Sequence, residues 1–337
     1  MSKPIGILYE HPEWFIPLFA ELDRRGLSYE RILAHELSFD PSARSSPYSV
    51  VVNRMSPSSY LRGHGHAIFA AQQYLGHLES VGVPVVNGTA AYGLELSKSL
   101  QLSLLAKLGI PHPRSRVVNH VDQIVGAALQ LSFPVMVKPN IGGSGALMRR
   151  FGSVEELRAA HAAGELNGIL GVDATAIVQE YHPLKGGSIV RVEVLDNRQL
   201  YAIRIHNDPD EGFNLCPADI CQVPAPAPTT SDDDFAFCAA PTAGKKARKI
   251  EATTAPDWVV DAVLRATRAG GLDVGGVEYL ESERDGQIYI YDINSLSNFV
   301  TDAPRLVGFD PFVRFVDYIE RRAGLGVRSA SGVHATV

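Results

Sequence analysis

Residues 133–148 read Phe-Pro-Val-Met-Val-Lys-Pro-Asn-Ile-Gly-Gly-Ser-Gly-Ala-Leu-Met, and the rest of the chain is best read outward from them. The apolar run ending at Lys138-Pro139 predicts a short buried strand that carries one cation to its end. The loop that follows holds Gly142, Gly143, Ser144 and Gly145. Backbone N–H groups approach anionic oxygens closely only where no Cβ intervenes, and glycine also accepts the positive φ of a concave loop. Strand, lysine and glycine loop suggest a phosphate cradle with Lys138 as its point charge. A surface turn after a strand is the plainer alternative.

A chain of 337 residues, 45% hydrophobic, is long for one core and rich enough in apolar side chains to bury two or three lobes. Its net charge of −6 offers no bulk attraction to nucleic acid or to an anionic membrane, so neither is expected as a partner. No apolar run approaches the roughly 18 residues that span a bilayer, and the first ten residues lack a secretory apolar core. A cytoplasmic protein is expected. Cys216, Cys221 and Cys238 are odd in number and form no CxxC pair, which suits reduced thiols better than a disulfide framework or a zinc site.

Pro4 to Tyr9, Tyr29 to Leu33, Val50 to Val52 and Val83 to Asn87 read as strands, with helices over Trp14 to Arg25 and Ile68 to Val81. This is a small α/β lobe with a parallel sheet, in which ligands gather beyond the carboxyl ends of the strands. Tyr9, Glu10, His11, Arg54 and the Gly63-His64-Gly65-His66 segment lie at such ends. The paired histidines read first as an ordinary polar loop and second as a substrate contact, since no further ligand sits at metal spacing. Leu94 to Leu108 is read as one amphipathic helix with Lys98 inside it. A strand at Ser115 to Val118, a helix from Val121 to Leu131, the organising strand, and a helix from Val154 to Ala163 opened by Ser153 make a second, mixed lobe.

Beyond it, Ala176 to Glu180 is a strand, and Ile189 to Leu195 pairs with Gln199 to His206 as a hairpin across Asp196-Asn197. Arg191 and Arg204 lie in these strands, where an arginine is costly unless it meets an anion or carboxylate. Pro256 to Gly270 and Asp310 to Arg322 read as helices. Residues 221–249, rich in Pro, Ala, Thr and Asp, read as a mobile loop or as a disordered insertion, and 328–337 as a frayed tail. A second hairpin, Val274 to Leu280 with Gln287 to Asn294 across Asp285-Gly286, sets Glu278 beside Asp292 and Asn294. Adjacent carboxylates on a packed sheet repel unless a cation lies between them, and an all-oxygen cluster suits Mg²⁺ bound jointly with nucleotide phosphates.

Lys98, Val-Lys138-Pro followed by Gly142-Gly-Ser-Gly145, the strand ending Val-Gln179-Glu180-Tyr181, Arg191 and Arg204 on paired strands, and Glu278 with Asp292-Ile-Asn294 occur in this order. The set, with Gly212-Phe-Asn-Leu215 between, resembles the ATP-grasp superfamily across nearly the whole chain, most closely its RimK-like and glutathione-synthetase-like ligases. The resemblance implies α/β and α+β architecture in three parts: an N-terminal parallel-sheet substrate lobe (1–93), a central lobe with the phosphate loop (94–174) and a C-terminal mixed-sheet lobe with the metal site (175–326). It implies ATP between two lobes, with Lys98, Lys138 and the loop Gly142, Gly143, Ser144, Gly145 at its phosphates. Gln179, Glu180 and Tyr181 would hold adenine, and Glu278, Asp292 and Asn294 one or two Mg²⁺, with Mn²⁺ the alternative ion.

In such ligases a carboxylate attacks the γ-phosphate and an amine then displaces phosphate. Arg204 resembles the arginine at the acyl phosphate, and Arg191 a second arginine facing the phosphates. The expected partners are a small-molecule carboxylate and an amine, amino acids or peptides, with a protein terminus the larger variant and a homodimer the expected assembly. The chain departs from the family pattern in having Asp292 where glutamate is commoner, Ser295-Leu-Ser-Asn-Phe299 after the metal strand, no evident acidic ribose ligand after Gly186-Gly187, and the long 221–249 insertion. Phosphotransfer to a small molecule is the second functional expectation, and nucleotide binding without turnover the third.

Overall fold

The computed structural model describes residues 3–11, 13–143, 145–207, 217 and 249–325. Ser144, the three cysteines, the segment 212–215, nearly all of 221–249 and the tail 328–337 lie outside them.

The first sheet is built from β1 (Ile5–Tyr9), β2 (Tyr29–Leu33), β3 (Val50–Arg54) and β4 (Val85–Val86), in the order β2-β1-β3-β4 with every pairing parallel. Alternation along β1 and β3 feeds two cores. Ile5, Ile7, Val50 and Val52 pack with α1 (Ile16–Arg24), while Leu8 and Val51 pack with α2 (Gly65–Ser80).

The stretch expected to be one helix divides into α3 (Thr89–Glu95) and α4 (Lys98–Lys107). Ser97 is the reason: its backbone is extended and its hydroxyl caps Leu100 N–H, starting a new helix. Lys98 therefore stands at the first position of α4 instead of mid-helix. The central sheet comprises β5 (Ser115–Val118), β6 (Val135–Pro139), β7 (Arg149–Phe151) and β8 (Ala176–Glu180), ordered β5-β8-β6-β7 and antiparallel. Helices α5 (Gln123–Ala128) and α6 (Val154–Ala162) cover one face of it.

The largest sheet follows, from β9 (Ser188–Leu195), β10 (Arg198–His206), β11 (Ile250–Ala252), β12 (Val274–Glu281) and β13 (Ile288–Asn294), in the order β11-β10-β9-β12-β13. The expected mixed sheet is antiparallel at every described pairing. Val190, Val192, Val194 and Ala202 face α7 (Asp257–Ala269), whereas Ile189, Ile203 and Ile205 turn the other way into a core shared with α1 and α9 (Pro311–Arg322). The short α8 (Ala303–Val307) lies between. Asn87, at a positive φ of 53°, joins first sheet to last: its amide donates to Val274 O and Ser295 O, each at 2.7 Å, and accepts from Asp273 N at 2.8 Å.

Candidate active site

A cleft of about 220 Å³ opens where the three sheets meet. Lys138 and Lys98 supply its cations: Lys138 from the buried end of β6, Lys98 from the start of α4. Asn140 holds these two elements together, accepting from Ser99 N at 2.9 Å while its own amide donates to Asp173 at 2.7 Å. Burial, reinforced by the Lys98 charge, pulls the Lys138 ammonium down to about 7. Burial works against Lys98 also, but Asp292, 2.6 Å from its Nζ, more than restores the charge and leaves its pKa raised.

Glu278 and Asp292 are direct partners across β12 and β13, with Gly276 opposite Asn294. A bulge beside Glu278 places Tyr291 and Asp292 together in the cleft, and the Tyr291 hydroxyl donates to Glu278 at 2.7 Å. Arg191 donates to Glu278 at 2.9 Å and to Glu193 at 2.6 Å. Burial, with Asp292 adding to it against Arg191, raises the Glu278 carboxyl; Asp292, which burial alone would raise, is held low by Lys98 and Lys138. Gly276 makes room for Arg191, since a Cβ there would fall 2.2 Å from its Nε.

Glu278, Asp292 and Asn294 offer two carboxylates and an amide oxygen, a hard donor set that fits Mg²⁺ shared with phosphate oxygens. The buried carboxyls of Glu95, Glu193 and Glu278 and the half-buried Asp292 outnumber Lys98, Lys138 and Arg191, so an added divalent cation meets a deficit of positive charge.

The glycine loop borders the same cleft at Gly142, Gly143 and Gly145, and Gly145 takes a φ of 70°. Gly143 is needed for a different reason, close approach: a Cβ there would lie 2.8 Å from the Ser58 Cβ of the first lobe. Gln179, Glu180 and Tyr181 border the far end. Their side chains and N–H groups are largely committed within the protein: Gln179 donates to Ser115, Glu180 accepts from Ser132 N, and Glu180 N and Tyr181 N bond Arg114 O and Pro134 O. A base at this end would therefore meet carbonyl oxygens and the neighbouring His182 ring, which packs at a tilt of 36° against Tyr289, centroids 4.3 Å apart.

Arg204 is not in the cleft. It lies opposite Val190, on the α7 face, donating to Ser188 Oγ at 3.0 Å. An extra residue, Leu200, between the pairs Gln199–Val194 and Tyr201–Glu193 causes this. Without that bulge the Asp196-Asn197 turn would set Arg204 opposite Ile189, on the cleft face; one residue of slip turns the side chain over. Arg54 is buried as well, its guanidinium lying 5.4 Å from the Phe15 and Phe315 rings and donating to Ser297 O. Sequence reading misses Glu95, whose buried carboxylate receives Ser295 N and Leu296 N, and Gln101, which brackets Ile293. Neither carries a local motif.

The sequence model for the ATP binding domain of the carbamoyl-phosphate synthase L chain matches residues 97–262. D-alanine–D-alanine ligase from Haemophilus influenzae (strain PittEE) is 34% identical over 137 residues, 39% of this chain and 43% of that enzyme. The ligase of the same name from Pseudomonas entomophila (strain L48) is 37% identical over 86 residues, 25% of this chain and 27% of that one. The chain thus spans less than half the length of these curated relatives. Among solved structures, ATP-grasp ligase PsnB complexed with minimal precursor superposes with a TM-score of 0.63 at 20% identity, covering 96% of this chain and 100% of that one. D-cycloserine synthetase DcsG gives 0.64 at 17%, covering 95% and 99%, and the Bacillus anthracis D-alanine–D-alanine ligase complexed with ATP gives 0.62 at 16%, covering 96% and 97%. With this three-sheet architecture and the lysines at the ends of β6 and α4, the chain shares the fold of these ATP-grasp ligases, and residues 97–262, just under half of it, match the ATP binding domain.

Proposed function

We propose that the protein is a ligase that joins a small carboxylate to an amine at the expense of ATP, releasing ADP and phosphate. The carrying observation is the joint presence, in one cleft, of Lys98, Lys138 and the glycine loop with Glu278, Asp292 and Asn294. Its lobes would divide as 1–93 for substrate, 94–174 for the phosphate loop and 175–326 for the metal ligands. Phosphoryl transfer requires mainly positioning and charge neutralisation. Lys138 and Lys98 would hold the phosphates, Arg191 would face the transferred group, and Glu278, Asp292 and Asn294 would hold Mg²⁺ or Mn²⁺. When bound, such an ion would supply positive charge that offsets the phosphate oxygens.

The carboxylate oxygen attacks phosphorus as the bond to ADP breaks; the amine nitrogen then adds to the acyl carbon, phosphate leaves, and the amine loses a proton. The relatives named D-alanine–D-alanine ligase and D-cycloserine synthetase support amino acids or their derivatives as substrates. Incubation with ATP, Mg²⁺ and pools of amino acids and dipeptides is expected to give a product equal in mass to two components less water. Lys138→Ala and Asp292→Ala should each lower that product by at least about a hundredfold while leaving the far-ultraviolet circular dichroism unchanged. A metabolite that gains only a phosphoryl group would replace the ligase reading with phosphotransfer.

A further inference from the structure

Outside the phosphate end, the first lobe presents a charged assembly built from residues distant in sequence. Glu10, just after β1, is 2% exposed. Arg62, at the end of the 3-10 turn Pro57–Arg62, lies side-on to it, with Nε 3.0 Å from both carboxylate oxygens and Nη2 donating to Oε2. His64 Nδ1 adds a contact of 2.7 Å from the other side, and the guanidinium carbon rests 4.9 Å from the Trp14 ring.

This geometry uses one edge of the guanidinium and leaves the other. Nη1 has a single long contact among the described residues, 3.4 Å to Ser58 Oγ. Ser58 and Trp14 both line the cleft, and Ser58 abuts Gly143 of the phosphate loop. A buried carboxylate costs several kcal/mol unless its charge is matched, and here matching it fixes the orientation of a planar donor. An end-on pair of N–H groups beside a hydroxyl and an aromatic wall is suited to a planar oxyanion.

We infer that Arg62, oriented by Glu10 and His64, anchors a carboxylate group of the substrate against Trp14 and Ser58. The inference rests on the ligase reading and deepens it by naming a recognition group. The carboxylate belongs either to the acid that is activated or to an amino acid that serves as the amine. The common chemistry is the anion, and the probes below separate the two sources.

Trp14 and Trp258 are the only tryptophans, and Trp258 is 48% exposed on α7, so a Trp258→Phe protein reports on Trp14 alone. Its fluorescence is titrated, with a non-hydrolysable ATP analogue and Mg²⁺ present, using N-acetylalanine, L-alanine, D-alanine and the carboxamide of each. The expected result is a saturable change with at least one carboxylate and binding about tenfold weaker, or weaker still, for its carboxamide. N-acetylalanine has no amine to give, so a response to it assigns the acid substrate; where alanine alone responds, ¹⁸O passed from its carboxylate to the released phosphate assigns the acid, and no such passage assigns the amine.

The double variant Glu10→Gln/Arg62→Gln should lose the response and keep the affinity for the ATP analogue. Arg62→Lys, which retains the charge opposite Glu10 but not the fork, should weaken carboxylate binding by about tenfold and provides the test if the double variant does not fold. Equal binding of carboxamides, no response to any probe, an unaffected Arg62→Lys protein, or loss of the ATP analogue from these variants would each overturn the assignment. Carboxylate binding of the stated kind without any condensation product removes the ligase reading and keeps the anchor. Condensation indifferent to Arg62 does the reverse.

Discussion

At the scale of single residues, the site is governed by which charges burial leaves to be neutralised. Lys138, drawn down to about 7 by burial and by Lys98, is largely neutral at pH 8 in the free protein, whereas in the unfolded chain it is charged there. The folded protein therefore binds fewer protons than the unfolded one between about pH 7 and 10, and this group makes stability rise with pH across that window. A nucleotide phosphate beside Lys138 restores the ammonium, so ATP-analogue binding at pH 8 should take up close to one proton. Calorimetry in buffers of differing ionisation enthalpy reads that number directly, and Lys138→Met should abolish it; uptake that persists in the variant would place the proton elsewhere. The two arginines make a second residue-scale contrast. Gly276→Ala drives a methyl into the Arg191 guanidinium and should cost about a hundredfold in turnover, the order expected when a reacting group is displaced by an ångström. Arg204→Ala, on the α7 face, should leave turnover near that of the parent. The sequence shows both arginines equally well; which one reaches the cleft depends on the extra residue at Leu200, and no local pattern announces it.

At the scale of elements, the apolar runs that predict strands are reliable because they are buried on both faces, as β1, β3, β6, β8 and β9 all are. Boundaries set by long-range contacts are harder to read. Leu94 to Leu108 keeps its apolar period through the break at Ser97, and what separates α3 from α4 is the Ser97 cap together with Asn140, 43 residues away. The glycine loop is legible as a loop, but its docking onto Ser58 is not, because the two segments meet only in the folded chain. Asn87 exposes the same limit, reading as the last residue of a strand and serving as the bracket between the first and last sheets. Asn87→Ala would strand buried peptide groups at Asp273, Val274 and Ser295, each costing about 1–3 kcal/mol, at a position whose positive φ alanine tolerates poorly. A loss of about 3 kcal/mol or more in denaturant unfolding is the expected outcome; a loss under about 1 kcal/mol would show that packing alone holds the two sheets together.

For the molecule as a whole, three sheets converge so that no lobe owns the site: Ser58 comes from the first, Lys138 from the second, Glu278 and Asp292 from the third. The order of motifs along the chain makes the ATP-grasp fold legible, since each motif is a few residues long and their succession is specific. The substrates stayed illegible because the groups that would read them, Glu10, Trp14 and Arg62, come from separate turns of the first lobe without a shared spacing. A site assembled from all three lobes has a thermodynamic signature. A ligand present at a hundred times its dissociation constant, and absent from the unfolded chain, adds about 2.7 kcal/mol to stability. In a chain of this size that corresponds to a rise in Tm of about 4 °C. If the charge deficit around Glu278 and Asp292 is met by a divalent ion held with the nucleotide, the ATP analogue and Mg²⁺ together should raise Tm by more than the sum of their separate effects. Asp292→Asn should remove the synergy and leave the smaller effect of the analogue alone. Purely additive shifts in the parent protein would mean that nucleotide and ion do not share these carboxylates, and the metal ligands would have to be sought elsewhere in the cleft.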